Sequence, residues 1–261
     1  ASQLVDGKSR VYAGTQPAHL FYSDDLGKSW TELPALRQVP GVEKWTFPGP
    51  PHLAHVKSIT FHPKDPKIIH VAVEVGGFLK STDGGKTWTT IDNINPDAHR
   101  VLIPTNDPSK VYGTAPTTNC GPETPAGFCV SSDGGASWKS MTPRDFRIGY
   151  VDPFFVHPGN PDLLFVAGAK TGPGTWRKLH TADARIAPRR DGGKSWDILA
   201  GGLPEHIRAN IEGMAMDAWN GGYAIFAGTT DGDVFYSDDE GEHWQTIIKG
   251  IGPVSKSHHY S

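Results

Sequence analysis

Cysteine is almost absent from this chain, long apolar runs are missing, and neither sign of charge dominates. With two cysteines in 261 residues, a disulfide framework cannot be what holds the fold together. Cys120 and Cys129 flank one Gly- and Pro-rich loop, Gly121 to Phe128. That loop is short enough for a single bond to close a hairpin tip. Such a bond would favour a secreted or periplasmic location; two thiols in a cytosolic loop is the alternative. No apolar run approaches the roughly 18 residues that a membrane span requires, so none is expected. Lys and Arg number 25 against 28 Asp and Glu, a formal net charge of −3. That balance gives no electrostatic reason to expect nucleic acid or an anionic membrane surface as a partner.

Glycine (31) and proline (22) are abundant, as a chain of many tight turns requires. The turns announce themselves as a repeat. Ser81-Thr82-Asp83-Gly84-Gly85-Lys86-Thr87-Trp88 recurs as Ser23 to Trp30, Ser131 to Trp138, Arg189 to Trp196 and Ser237 to Trp244. Its core is Ser-x-Asp-x-Gly-x-Thr/Ser-Trp. The aspartate accepts bonds from backbone N–H groups just ahead of it, and glycine supplies a positive φ without a Cβ clash. A hydroxyl ties the two arms together, and tryptophan lays an apolar face over the neighbouring hairpin. Each copy therefore reads as the turn between two antiparallel strands.

The spacing of the copies, roughly 50 residues, is slightly longer than the usual four-stranded blade. Between boxes the pattern is an apolar run, a Pro/Asn/Asp corner, a second apolar run ending in Gly, and a short strand into the box. Val56 to Phe61, Pro63 to Pro66, Ile68 to Val75 and Phe78 to Ser81 show it best. The five copies resemble the Asp-box, or bacterial neuraminidase repeat, of the sialidase-like and photosystem-assembly-factor-like β-propellers. The fold this implies is all-β, one five-bladed propeller domain over residues 1–261. The first unit has little sequence for an inner strand, so the segment Pro253 to Ser261 is expected to supply it and close the ring. An open fragment of a six- or seven-bladed protein is the competing expectation.

In a propeller of this kind the boxes lie on one face, and any site belongs at the channel mouth on the other, where loops of several blades meet. The box aspartates are then structural. The segments entering the first strands are rich in ionisable groups: His52, His55, His99, Arg100, Arg147, Tyr150, Arg208, Glu212, His258 and His259, with Glu74 from the next connection. One use of them is a divalent metal, zinc, manganese or iron, held by His55, Glu74 and His259, with an open position to activate water. Glu74, Arg100, Tyr150 and Glu212 would then do the catalytic work, and His52, His99, Arg147, Arg208 and His258 would bind substrate. No organic cofactor is implied. The second use is metal-independent glycosidase chemistry, in which a carboxylate pair faces the substrate and arginines hold a carboxylate. Sialidases carry an Arg-Ile-Pro signature near the first inner strand; Arg147-Ile148-Gly149 stands in a later unit, which argues against sialidase itself. The expectation is an enzyme, a hydrolase or lyase, acting on a small polar molecule or carbohydrate. A non-enzymatic binding or assembly propeller, lectin-like or scaffold-like, is the rival.

Overall fold

Nineteen strands form five antiparallel sheets in a computed structural model that describes residues 1–117, 121–190 and 195–254, without the side chain of Arg177. The first sheet is β1 (Ser2–Val5), β2 (Lys8–Gly14), β3 (Leu20–Ser23) and β4 (Thr31–Glu32). The second is β5 (His55–His62), β6 (Asp65–Glu74), β7 (Gly77–Ser81) and β8 (Thr89–Ile91). The third is β9 (Arg100–Leu102), β10 (Val111–Ala115), β11 (Gly127–Ser131) and β12 (Lys139–Ser140). The fourth is β13 (Tyr150–His157), β14 (Asn160–Ala169) and β15 (Arg185–Arg189), and the fifth is β16 (Ile211–Trp219), β17 (Gly222–Thr229), β18 (Val234–Ser237) and β19 (Gln245–Ile248). Within each sheet the strands neighbour one another in chain order, the up-and-down arrangement that short turns permit. Among the described residues one short α-helix, α1 (Pro173–Leu179), stands between β14 and β15, and two 3-10 turns, Pro34–Gln38 and Val42–Lys44, lie between β4 and β5. Among the described residues no helix is long and apolar enough to cross a membrane.

The chain divides into two compact units. Ala1–Ala115 with Gly121–Ser140 holds the first three sheets, and Pro116–Cys120 with Met141–Ser261 holds the last two. In the first unit the two faces of the second sheet serve two cores. Val71, Val73 and Leu79 pack with Tyr12, Leu20 and Leu36 of the first sheet's side. Ala72, Phe78 and Ile91 pack with Val101, Val111 and Trp138 of the third. Alternation along a strand makes this division. In the second unit Phe165, Ile186, Ile211, Ile225 and Trp244 form one buried cluster.

The place reserved for the C-terminal segment in the first sheet is already filled. β1 pairs with β2 through Ser2↔Val11 to Val5↔Lys8, around Asp6 and Gly7, both at positive φ. Two consecutive positive φ values are what a two-residue hairpin of matching twist demands. At four residues and half exposed, the strand leaves little pattern in the sequence. The last described residues run along the β17–β18 turn, where the N–H groups of Ile251 and Val254 donate to Gly232 O and Thr229 O at 3.2 and 3.1 Å. Residues 255–261, with His258 and His259, lie outside the described residues, as does Cys120, so the Cys120–Cys129 bond cannot be placed. Cys129 is buried in β11.

Four boxes show one geometry. In the second, Thr87 donates to both oxygens of Asp83, from its N–H at 2.9 Å and its hydroxyl at 2.6 Å. The Ser81 hydroxyl donates to Asp83 at 2.9 Å and accepts from the Gly85 N–H at 2.8 Å, and Trp88 Nε1 donates to Gly85 O at 3.1 Å. In the last box His243 Nδ1 takes the hydroxyl's part, 2.6 Å from Asp239. The fourth box, at Asp191, lies outside the described residues. Beyond it the N–H groups of Asp197 and Leu199 donate to Pro188 and Ile186 of β15, so the chain still follows the sheet edge.

These bonds favour the charged carboxylate. The hydrogen bonds from Thr87 hold Asp83, and those from Ser29 hold Asp25, at about 2, against an ordinary 3.8. A depressed folded-state value stabilises the fold above the unfolded value and loses that contribution as pH falls through the folded one. The melting temperature is therefore expected to hold level down to about pH 4 and to decline between about 4 and 2. Asp83→Asn should lower the plateau and flatten that decline; an acid limb unchanged in steepness would show that the boxes do not carry it.

Candidate functional site

Glu74 is the last residue of β6 and pairs across the sheet with His55, the first of β5. Cross-strand partners point to the same face, and His55 Nε2 lies 2.9 Å from Glu74 Oε2. Beyond His55 the pairing slips: Val56 faces Val73, Ser58 faces Ala72, and Lys57 is the extra residue of a bulge. A bulge re-aims a side chain that regular pleating would send elsewhere. Lys57 Nζ comes to 3.2 Å from the same Glu74 oxygen, with both side chains 3% exposed.

The third sheet brings the remaining members. Ser58 Oγ donates to Val101 O and accepts from the Val101 N–H, both at 3.2 Å, and Thr60 Oγ1 accepts from the Ile103 N–H at 3.1 Å. These two hydroxyls set β5 against β9 in a fixed register. One step back along that register His99, fully buried, puts Nε2 3.8 Å from Glu74 Oε1 and 3.6 Å from Asp97 Oδ1. Ligand atoms of Glu74, Asp97 and His99 all lie within 4.8 Å of one another. Asp97 is the most open of the group, its side chain 28% exposed. Phe47 closes one side, its ring edge-on to His55 at 5.4 Å.

The cluster can hold a proton or a cation between two carboxylates. The donor set suits a first-row divalent metal. The Lys57 ammonium beside Oε2 disfavours a second cation there, so only Oε1, with Asp97 and His99, fits one.

The other sequence-derived candidates fall elsewhere or are occupied. His52 ties its own loop, Nδ1 2.9 Å from Phe47 O. Arg100 opens β9. In the second unit Tyr150 is buried edge-on against Trp176, and Arg147 is paired with Asp183, which also meets Arg185 and His206 at 3.3 Å. Burial pushes the Asp183 carboxyl up, but His206 and the two guanidinium groups hold it below its ordinary value. Arg208 extends into solvent, 3.9 Å from Asp231. Glu212 is fully buried and accepts from Asn210 Nδ2 at 3.2 Å. His259, the third expected metal ligand, lies outside the described residues.

Sequence reading singled out neither Lys57, Asp97 nor Asp152. A signal for two of them was present. β13 and β16 slip as β5 does, between Val151 and Phe154 and between Ile211 and Gly213. Asp152 and Glu212, both fully buried, occupy those slips. Val-Lys-Ser, Val-Asp-Pro and Ile-Glu-Gly share a form, an apolar residue, a charge, then a small residue or proline.

Residues 79–90 match the BNR/Asp-box repeat family. The chain carries the Asp-box repeat. A xyloglucanase of a Paenibacillus species is 24% identical to it over 92% of the chain, which spans about a quarter of that protein's length (25%). Among solved structures, an ancestral GH74 enzyme superposes with a TM-score of 0.67 at 18% identity, over 95% of this chain and 33% of its own. YCF48 bound to a D1 peptide superposes at 0.55 and 13% identity, over 91% and 64%. At these identities the structures establish a shared fold.

Breaking the buried pair tests its geometry. Lys57→Met leaves Glu74 short of a cation and should cost about 3–5 kcal/mol in denaturant unfolding, as one-sided loss of a buried ion pair does. Adding Glu74→Gln should recover part of that loss. Additive single effects would show that the two groups do not act as a pair.

Proposed function

We propose that this Asp-box chain acts in the hydrolysis of a carbohydrate, with Asp97 and Glu74 as the working carboxyl groups. One observation carries the reading: two carboxyl groups share His99, with their oxygens within 4.8 Å. Paired carboxyl groups about 5–5.5 Å apart are the arrangement of retaining glycosidases. Asp97, the open member, meets the glycosidic oxygen and donates its proton to the leaving group. Glu74, fixed by His55, Lys57 and His99, bonds through a carboxylate oxygen to the sugar carbon as the glycosidic bond breaks, and water, giving a proton back to Asp97, then displaces it to complete the hydrolysis. The similarity to a xyloglucanase supports a polysaccharide of the β-glucan kind as substrate, at the level of class.

The second reading uses the same oxygens for a metal. Glu74 Oε1, Asp97 and His99 would hold zinc, manganese or iron, which when bound supplies an activated water. A chelator separates the two. A non-enzymatic role, for which the YCF48 likeness is the support, predicts no turnover.

Asp97→Asn is expected to lower kcat on xyloglucan, followed by reducing ends released, by about 10²–10⁴-fold while leaving the melting temperature in place. Chelation followed by metal analysis should leave the rate unchanged. Full activity in Asp97→Asn would reject the assignment, and loss of activity on chelation, restored by added metal, would favour the metal reading.

A further inference from the structure

The outer edge of the second sheet carries a second feature. Glu74 lies where β6 turns into β7, two strands in from the edge; β8 is the outermost strand, and a cleft of about 520 Å³ runs along it, from Thr82 and Thr87 of the box to Asp92 and Asn93, against the third box turn, Gly134 to Ala136. Ligand pockets are commonly about 300–1,000 Å³, so the size suits a ligand of a few sugar rings. Gly135, at φ 97°, lets the turn sit on Ile91 and on buried His70. Burial, with Lys80 adjacent, holds His70 down to about 3, so His70 adds no charge behind the turn.

The lining is rich in hydroxyls, with Thr82, Thr87, Thr89 and Thr90, and carries one charge of each sign, Lys80 and Asp92. Lys80 reaches the cleft, but its ammonium donates to Gly134 O at 2.8 Å. Asn93 Nδ2 donates to Ala136 O at 2.6 Å, which clamps the two walls and leaves the amide oxygen to accept. Thr82 and Thr89 bring further hydroxyls, and Asp92 a carboxylate, to the rim. Thr90 Oγ1 is buried with no hydrogen-bond partner among the described residues. A buried hydroxyl without a partner has lost its hydration without replacement, a penalty that a hydroxylated ligand removes. Threonine methyls, Ile91 and Ala136 supply apolar surface between these polar points, the mixture that the C–H faces and hydroxyl rim of a pyranose match.

We propose that this cleft binds a neutral oligosaccharide, away from the Glu74–Asp97 site and without cleaving it. The binding does not rest on the hydrolase reading. Amide NMR of the 261-residue chain titrated with cellotetraose tests it. Saturable shifts are expected at Thr89, Thr90, Asn93 and Ala136, retained in Asp97→Asn, weakened at least about tenfold by Ala136→Trp, which fills the cleft, and reduced by Thr90→Val. An anionic galacturonate oligomer should bind no better. Absence of saturable shifts at these amides, shifts indifferent to both cleft variants, or preference for the anionic sugar would each overturn the proposal. Hydrolysis unaffected by Asp97→Asn alongside intact cleft binding would instead sink only the hydrolase reading.

Discussion

A carboxylate placed at the inner end of a buried strand has to meet positive charge or be expelled, and Glu74 meets it in Lys57. Neither side chain would be tolerated alone, since an isolated buried charge costs several kcal/mol. The pairing depends on one extra residue in β5. Were the register of Ser58 and Ala72 carried back without the slip between Val56 and Ser58, Lys57 would stand opposite Val73 on the apolar face. The two hydroxyl bridges from Ser58 and Thr60 to the third sheet then fix where His99 and Asp97 arrive. Bulge, ion pair and bridges form one chain of dependence, and the site is its end point.

The boxes solve a different problem at the other end of the strands. Each closes its turn with bonds from the same eight residues, so each is locally self-sufficient. His243 makes the requirement explicit: what the second oxygen of the aspartate needs is a donor at the right reach, and an imidazole N–H serves as well as a hydroxyl. A turn that is complete in itself asks nothing of the loops at the opposite strand ends. Those loops are free to carry whatever charges a function calls for.

This separation explains what could be read from sequence. The five sheets were legible because each box is local and its period regular, and the corners between strands fall where Pro, Asn and Asp put them. β1 was not, because a short half-exposed strand such as Ser2–Val5 carries little alternation. His55 and Glu74 were recognised as partners because a strand pair and its turn determine their meeting. Lys57 stood in the same loop, yet its role depends on a bulge, and a bulge is a matter of register between strands rather than of composition. Asp97 reaches the site through β9's attachment to β5, a contact spanning some forty residues that no local pattern encodes.

The three bulged strands carry this one step further. β5, β13 and β16 keep a similar local form, an apolar residue before the slip and then a charged residue followed by a small residue or proline, the charged residue being Lys57, Asp152 (with Pro153 also inside the slip) or Glu212. The backbone device is constant and its charge is not. One substitution in a bulge therefore changes the sign of a buried group without disturbing the sheet that holds it, provided the facing strand supplies the counter-charge. A fold built from such units can be shared by a glycoside hydrolase and by a protein bound to a peptide, as its neighbours are. What separates them must then be sought in the strand starts, where the energetic cost of burying charge forces each side chain to have a purpose.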